Sequence, residues 1–234
     1  MVIVVPVGGL GTRIKHLLPP NTPKPMMEFY GKPFLEYQFK LLAGQGYKKF
    51  VLSVGYGAEK IQKYFGEGKK FGVKIRYVPD GVEPLGFGGC IKNAIKDLRD
   101  EYFGIMDGDT YLPINYRRVE EVYNLSEKKA LIVVTCRFPK RYDGNISLSN
   151  QDISEIRENY SGNTKRLSHV DCGFRIINTQ SLKKFPKTRF HMREFFVSLI
   201  EKKEVIGYKA ERRFREIGNP EAIYDFMRYL KHVS

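Results

Sequence analysis

The chain has 234 residues, 42% of them hydrophobic, and a formal net charge of +14. That length supplies one substantial core, or one core with a small lobe, and no apolar run approaches the roughly 18 residues of a membrane-spanning helix. The basic balance favours polyanionic partners (nucleic acid, acidic membrane or phosphorylated small molecules) and does not choose among them.

In chain order, Val2–Val7 is a continuous apolar run that predicts a buried strand, ending near Pro6, which lacks a backbone donor. It is too short for a signal-peptide core and has no basic leader, which predicts a cytoplasmic protein. Residues 8–31 are rich in Gly and Pro, and a structureless stretch of that length inside a compact domain is usually functional. Pro33 opens a helix carrying Phe34, Leu35, Phe39, Leu41 and Leu42, which stops at Gly44 and Gly46. Then come a strand in "KKFVLSVGY", a short helix over Ala58–Phe65 with Ile61, Tyr64 and Phe65 inward, and a strand in "VKIRYVP". "GFGGCIKNAIKDL" turns into a helix, and the strand "YFGIM" runs into "DGDT". Such alternation predicts a right-handed, mostly parallel sheet with helices on both faces. Ligands of such sheets bind beyond the carboxyl ends of the strands, where the glycine-rich loop and "DGDT" both fall.

The second half is mixed. "ALIVVTCRF" predicts a strand, "NISLSNQDISEI" a hairpin turning at Ser149–Asp152, and "SHVDCGFRIIN" another strand. Residues 190–203 are amphipathic and helical. Near the end, Asn219 is a good N-cap, Pro220 a good first helical residue and Glu221 suits the first turn; Ile223, Phe226, Met227 and Leu230 form the stripe to be buried. No repeat or linker divides the chain. Residues 1–234 are expected to form one domain, its halves meeting near residue 115.

The chemistry-bearing residues start in the first loop. Gly9-Leu10-Gly11 is followed by Thr12-Arg13-Ile14, so the loop is neither a Walker A loop nor a dinucleotide fingerprint. Arg13 and Lys24, the latter held between Pro23 and Pro25, make the pattern specific. Glycines let backbone N–H groups approach a phosphate, Arg13 can grip two phosphate oxygens, and Lys24 acts as a point charge. The reading is a loop for a nucleoside triphosphate. In "DGD", Asp107 and Asp109 share one face if the strand stays extended. The four histidines show no metal or triad spacing and are expected to be uninvolved. Cys90, Cys136 and Cys172 show neither metal spacing nor a disulfide framework and are expected to be buried thiols. The basic residues are scattered, which argues against a nucleic-acid arm.

"GGLGTR…PKPM", "PLGFGGCIKNA", "DGD" and "EIGNPEA", in this order, resemble the sugar-1-phosphate nucleotidylyltransferase family over about residues 2–230. The run "DGDTYLPINY…VDCGFRIIN…EIGNP" resembles its short branch, which includes heptose 1-phosphate guanylyltransferases. The resemblance implies a Rossmann-like three-layer α/β/α sandwich with a mixed central sheet, its first half binding nucleotide and its second half binding sugar phosphate. It implies that Gly8, Gly9, Gly11 and Thr12 cradle the nucleotide. Arg13 would meet the leaving β- and γ-phosphates, and Lys24 the α- and sugar phosphates. Asp109 and Glu216 would hold Mg²⁺. Gly86, Gly88 and Gly89 would hold base and ribose, and Gly144, Asn145, Glu158, Asp171 and Gly173 the sugar phosphate. Asp80 and Glu83 precede the base loop, and a carboxylate there leans towards GTP. Two departures stand out. Asp107 occupies a place that is commonly neutral, and is expected either to join the metal or to cap the turn. Glu158-Asn159 stands where the family often has Glu-Lys, so Lys165 or Arg175 would have to replace a phosphate-contacting lysine. The expected partners are a nucleoside triphosphate and a sugar 1-phosphate, with no nucleic acid and no membrane, and a homo-oligomer is left open. Two rival readings are a nucleotide-sugar glycosyltransferase using Asp-x-Asp and a non-catalytic basic binding protein.

Overall fold

The computed structural model describes residues 1–81, 84–138, 144–157 and 167–233. Strand β1 (Val2–Pro6) sends Ile3, Val5 and the adjoining Val7 into one core, and Val2 and Val4 into another. Both faces are covered, which is why the strand reads as a continuous apolar run. Two tight 3₁₀ turns follow, Thr12–Leu17 and Lys24–Met26. Next come a two-rung hairpin of β2 (Glu28–Phe29) and β3 (Lys32–Pro33), then α1 (Phe34–Ala43), β4 (Lys49–Val54), α2 (Ala58–Phe65), β5 (Lys74–Pro79), α3 (Gly86–Ala94), β6 (Tyr102–Met106) and β7 (Thr110–Tyr111).

The later elements are α4 (Tyr116–Ser126), β8 (Ala130–Thr135), β9 (Ile146–Ser149), β10 (Asp152–Ile156), β11 (Val170–Asn178), α5 (Thr179–Lys183), α6 (Met192–Ile200), β12 (Val205–Lys209), β13 (Arg215–Glu216) and α7 (Pro220–Val233). The large sheet has nine strands in the order β5-β4-β1-β6-β11-β8-β12-β10-β9. Its first four strands are parallel, as the alternation predicts. Strand β11 pairs antiparallel with both β6 and β8 and makes the sheet mixed. Helices α1, α2 and α4 cover one face, and α3, α5 and α6 the other. This is the Rossmann-like three-layer sandwich.

The topology places the carboxyl ends of β5, β4, β1 and β6 side by side. Asp80, Gly55 and Asp107 follow the ends of β5, β4 and β6 directly, and Gly8 follows β1 after Val7. A third cluster joins Phe29, Phe34, Phe226 and Leu230, and so docks α7 on the start of α1. Tyr64 and Met227 are 37% and 39% exposed, not inward as their helical spacing suggests. The Tyr64 hydroxyl instead reaches across to donate to Glu36. Cys172 is buried, but Cys90 is only half-buried and Cys136 is exposed, correcting the expectation of three buried thiols. Among the described residues no helix is long and apolar enough to cross a membrane.

Candidate active site

An open cavity of about 1080 Å³ lies over the carboxyl ends of the parallel strands. Its first wall is the loop after β1. Gly8, Gly9, Gly11, Thr12 and Arg13 all line it. Gly8 has no room for a side chain, because a Cβ there would overlap the Asp80 carboxylate. Gly11 has φ +59°, a conformation costly for other residues. Gly9 is different: its φ is ordinary and nothing lies within 4 Å of where its Cβ would be. The protein's own packing does not require a glycine there, whereas a ligand lying on the backbone would.

Lys24 and Asp109 meet across this wall. Lys24 Nζ donates to Asp109 Oδ2 at 2.5 Å, with side chains 14% and 30% exposed. The buried Pro23 and Pro25 fix the turn that carries Lys24. Asp109 follows β6, and its backbone carbonyl accepts from Ile217 N at 3.1 Å. That bond, and the pairing of Glu216 with Thr110 in the β7–β13 ladder, bring Glu216 beside Asp109 in the backbone. The Glu216 carboxylate stands over Gly218, with Arg13 Nη2 close by, and accepts from Asn219 Nδ2 at 3.2 Å. Among the described residues no three His, Cys, Asp or Glu side chains cluster to enclose a metal unaided. Of the two, Asp109 lines the cavity and Glu216 does not; carboxylates of this kind, completed by phosphate oxygens and water, suit a hard divalent cation.

Asp107 lines the cavity and is engaged by a cation that the sequence did not pair with it. Both its oxygens are bound by Arg175, Nη1 to Oδ1 at 2.7 Å and Nη2 to Oδ2 at 3.2 Å. Arg175 Nε also donates to Asp171 Oδ2 at 2.7 Å. The guanidinium is therefore committed to two carboxylates, and Arg175 is not the spare phosphate cation that the sequence offered. Burial outweighs Arg175 and pushes Asp107 up to about 6. The same carboxylates raise Arg175 still further, against the opposing effect of burial.

The remaining candidates divide. Asp80, Gly86, Asn145 and Asp171 line the cavity. Asp80 is a brace, since it accepts from Ser53 Oγ and lies against Gly8 and Gly55. These contacts hold its carboxylate against the first loop. Gly88 and Gly89 do not line the cavity. A Cβ on either would overlap Phe190 or Thr188, so these glycines let α3 approach the segment before α6. Gly144 is likewise closed off by Leu167, and Gly173 has φ +77° against Thr110. Gly173 lies on the strand that carries Asp171, and Gly144 lets the segment before β9 approach Leu167. Glu83, Glu158, Asn159 and Lys165 lie outside the described residues.

Sequence reasoning missed the far wall. Arg157, His191, Met192 and Arg193 line the cavity there. His191 is the N-cap of α6 in a capping box with Glu194, so one of the four histidines does reach the site. Arg193 Nε donates to Ile156 O at 3.2 Å. The signal was present in "HMRE", a capping box that fixes a helix start and hence the direction of Arg193.

A bare-backbone loop, cations and one partly exposed carboxylate thus line one cavity at the ends of parallel strands, chemistry suited to a phosphorylated nucleotide. The chain belongs to the nucleotidyl transferase family, whose model matches residues 2–232. It is 30% identical over 228 residues to D-glycero-alpha-D-manno-heptose 1-phosphate guanylyltransferase of Campylobacter jejuni, covering 97% of this chain and 99% of that one. An Aneurinibacillus thermoaerophilus protein of the same name is also 30% identical, over 99% of both chains. Crystal structures of HddC from Yersinia pseudotuberculosis, one of them complexed with GMP-PN, share 26% identity with a TM-score of 0.79. Each covers 98% of this chain and 99% of HddC.

Proposed function

We propose that this chain joins GTP to a heptose or hexose 1-phosphate, forming a GDP-sugar and releasing pyrophosphate. The observation that carries the reading is one cavity lined both by the Lys24–Asp109 contact and by the open backbone of Gly9. The guanylyltransferase names of the relatives and the GMP-PN complex of HddC support GTP as donor.

The acceptor phosphate is largely a dianion at neutral pH, its second pKa being near 6. Its oxygen attacks the α-phosphorus, the bond from that phosphorus to the bridging oxygen breaks, and pyrophosphate leaves. No base is needed. The task is to hold two polyanions together and to stabilise the departing charge. In this reading the backbone of Gly8, Gly9, Gly11 and Thr12 cradles the triphosphate, and Arg13 holds its β- and γ-phosphates. Lys24 stays between the α-phosphate and the incoming phosphate. Asp109 and Glu216 would hold Mg²⁺, which when bound neutralises phosphate charge and polarises the α-phosphoryl group. Gly86 edges the base pocket. Asn145 and Asp171 take acceptor hydroxyls, and Arg193 supplies the cation that Glu158-Asn159 lacks. The two halves of one domain thus hold one substrate each.

The test is a matrix of four triphosphates against several sugar 1-phosphates, read by released pyrophosphate. GTP with a heptose or mannose 1-phosphate should dominate. A chain that prefers UTP, dTTP or CTP sinks the guanine assignment, and one that releases pyrophosphate from no pair sinks the transfer reaction itself.

A further inference from the structure

Three segments that border the cavity end on a single guanidinium. Arg175 lies on β11, is 9% exposed, and donates twice to Asp107 in the turn after β6. It donates once to Asp171, four residues earlier on its own strand. The Phe87 ring, from the first turn of α3, covers its face with the centroid 5.8 Å from Cζ. Three of its five N–H groups are thereby used.

Each partner is tied to something that touches substrate in the reading above. Asp107 N donates to Gly173 O at 2.9 Å, and Asp107 O accepts from Thr110 N at 3.1 Å and Gln38 Nε2 at 2.8 Å. These bonds set the turn whose middle projects Asp109. On the other side, Asp171 Oδ1 accepts from Gly173 N at 2.8 Å, and Asp171 N donates to Asn145 Oδ1 at 3.1 Å. The acceptor-side pair Asn145 and Asp171 is thus joined to the turn carrying Asp109 through the Gly173 backbone and, between side chains, through one cation.

Resting on that reading, we propose that Arg175 is a positioning residue. It holds the metal-side turn and the acceptor-side carboxylate in fixed register, so that the attacking phosphate arrives in line with the α-phosphorus. The planar fork is needed, because a point charge cannot bind Asp107 bidentately and Asp171 from Nε at once. The alternative is a direct contact with phosphate, for which charge alone would suffice.

The experiment compares wild type, Arg175→Lys, Asp107→Asn and the pair Asp107→Asn/Arg175→Gln beside Arg175→Gln, each checked for a native circular dichroism spectrum. Pyrophosphate release gives KM for each substrate, and electron paramagnetic resonance with Mn²⁺ and the unreactive analogue of the triphosphate gives metal affinity without turnover. Partners that orient a ligand typically change affinity or activity about 10- to 100-fold. Arg175→Lys and Asp107→Asn should therefore raise acceptor KM about tenfold and weaken Mn²⁺ binding, with triphosphate KM within about twofold of wild type. The double variant should be no worse than Arg175→Gln alone, because the two residues act as a unit. Full activity in Arg175→Lys overturns the proposal, as does unchanged acceptor KM and Mn²⁺ affinity in folded variants, or additive losses in the double variant. A wild type that releases pyrophosphate with no acceptor defeats the proposed reaction, and the Mn²⁺ measurement still decides whether Arg175 positions Asp109.

Discussion

At the scale of single residues, the first loop separates glycines that the fold needs from one that its packing does not. Gly8→Ala drives a methyl into the Asp80 carboxylate and Gly55. Overpacking of that kind costs about 1–3 kcal/mol, so the melting temperature should drop along with activity. Gly9→Ala meets nothing within 4 Å and has an ordinary φ. It should melt like wild type while triphosphate KM rises severalfold. A Gly9→Ala enzyme with unchanged KM would remove the triphosphate from that backbone. At the far wall, Arg193→Ala should raise acceptor KM by about ten- to hundredfold, the equivalent of a charged hydrogen bond of about 1.5–3 kcal/mol, and leave triphosphate KM alone. If triphosphate KM moved instead, Arg193 would belong to the donor. Asp107 adds a pH test. Burial raises its pKa to about 6, above the ordinary carboxylate range. The folded protein therefore holds this proton more tightly than the unfolded chain does. Its contribution to stability is full below the ordinary range and is lost as pH rises through about 6. Asp107→Asn abolishes the titration. Urea unfolding should then show the variant gaining on wild type between about pH 4 and pH 7, and a flat difference would mean that Asp107 is not shifted upward.

At the scale of elements, α7 matters because it anchors Glu216, a proposed metal ligand that no strand of the main sheet carries. Phe226 packs edge-on against Phe29 and Phe34 at centroid distances of 4.9 and 5.0 Å, and beside Tyr111 at 5.3 Å. Arg215 stacks on Tyr229 at 3.7 Å. Asn219 Oδ1 caps the helix by accepting from Ala222 N at 2.9 Å. These contacts fasten β13, and with it Glu216, against β7. Phe226→Leu removes ring contacts but keeps an apolar filler. It should lower the melting temperature and also raise the Mg²⁺ concentration needed for half-maximal turnover. Stability loss without a change in metal requirement would separate α7 from the metal site. The start of this helix was legible in "NPE", because cap, proline and acid each act locally. Its exposed Met227 was not, since spacing cannot tell which neighbour covers a stripe. Helix α4 went unread as well. Its cue was Asn115, whose side chain accepts from Arg118 N, ahead of Tyr116, Val119 and Tyr123, the buried residues of a helix otherwise mostly polar. The paired roles of Asp107 and Arg175 were invisible for another reason: they are 68 residues apart, and only the antiparallel insertion of β11 beside β6 joins them.

At the scale of the whole molecule, the parallel half of the sheet was legible because each of its strands ends in a turn signal, whereas the strand order beyond β6 depends on contacts that no local pattern encodes. The net charge of +14 was equally plain, but its purpose needed the cavity. Inside, cations largely meet anions: Lys24 pairs with Asp109, and Arg175 with Asp107 and Asp171. The uncompensated charge is spread outside, on residues such as the exposed Lys48, Lys49, Lys70 and Lys74. A surface of that sign draws polyanionic substrates inward over distances comparable to the Debye length, about 10 Å at 0.1 M salt and about 3 Å at 1 M. Buried pairs are screened much less. The value of kcat/KM for the triphosphate should therefore fall steeply as potassium chloride rises from 0.05 to about 0.5 M, with kcat changing little. The control is Lys15→Glu/Lys60→Glu, which reverses two exposed charges at the cavity end of the fold that do not line the cavity. It should flatten the salt dependence and lower kcat/KM at low salt without changing kcat. If reversing those charges left the slope intact while Arg13→Gln removed it, the salt effect would come from one phosphate contact and the long-range field would have no part in capture.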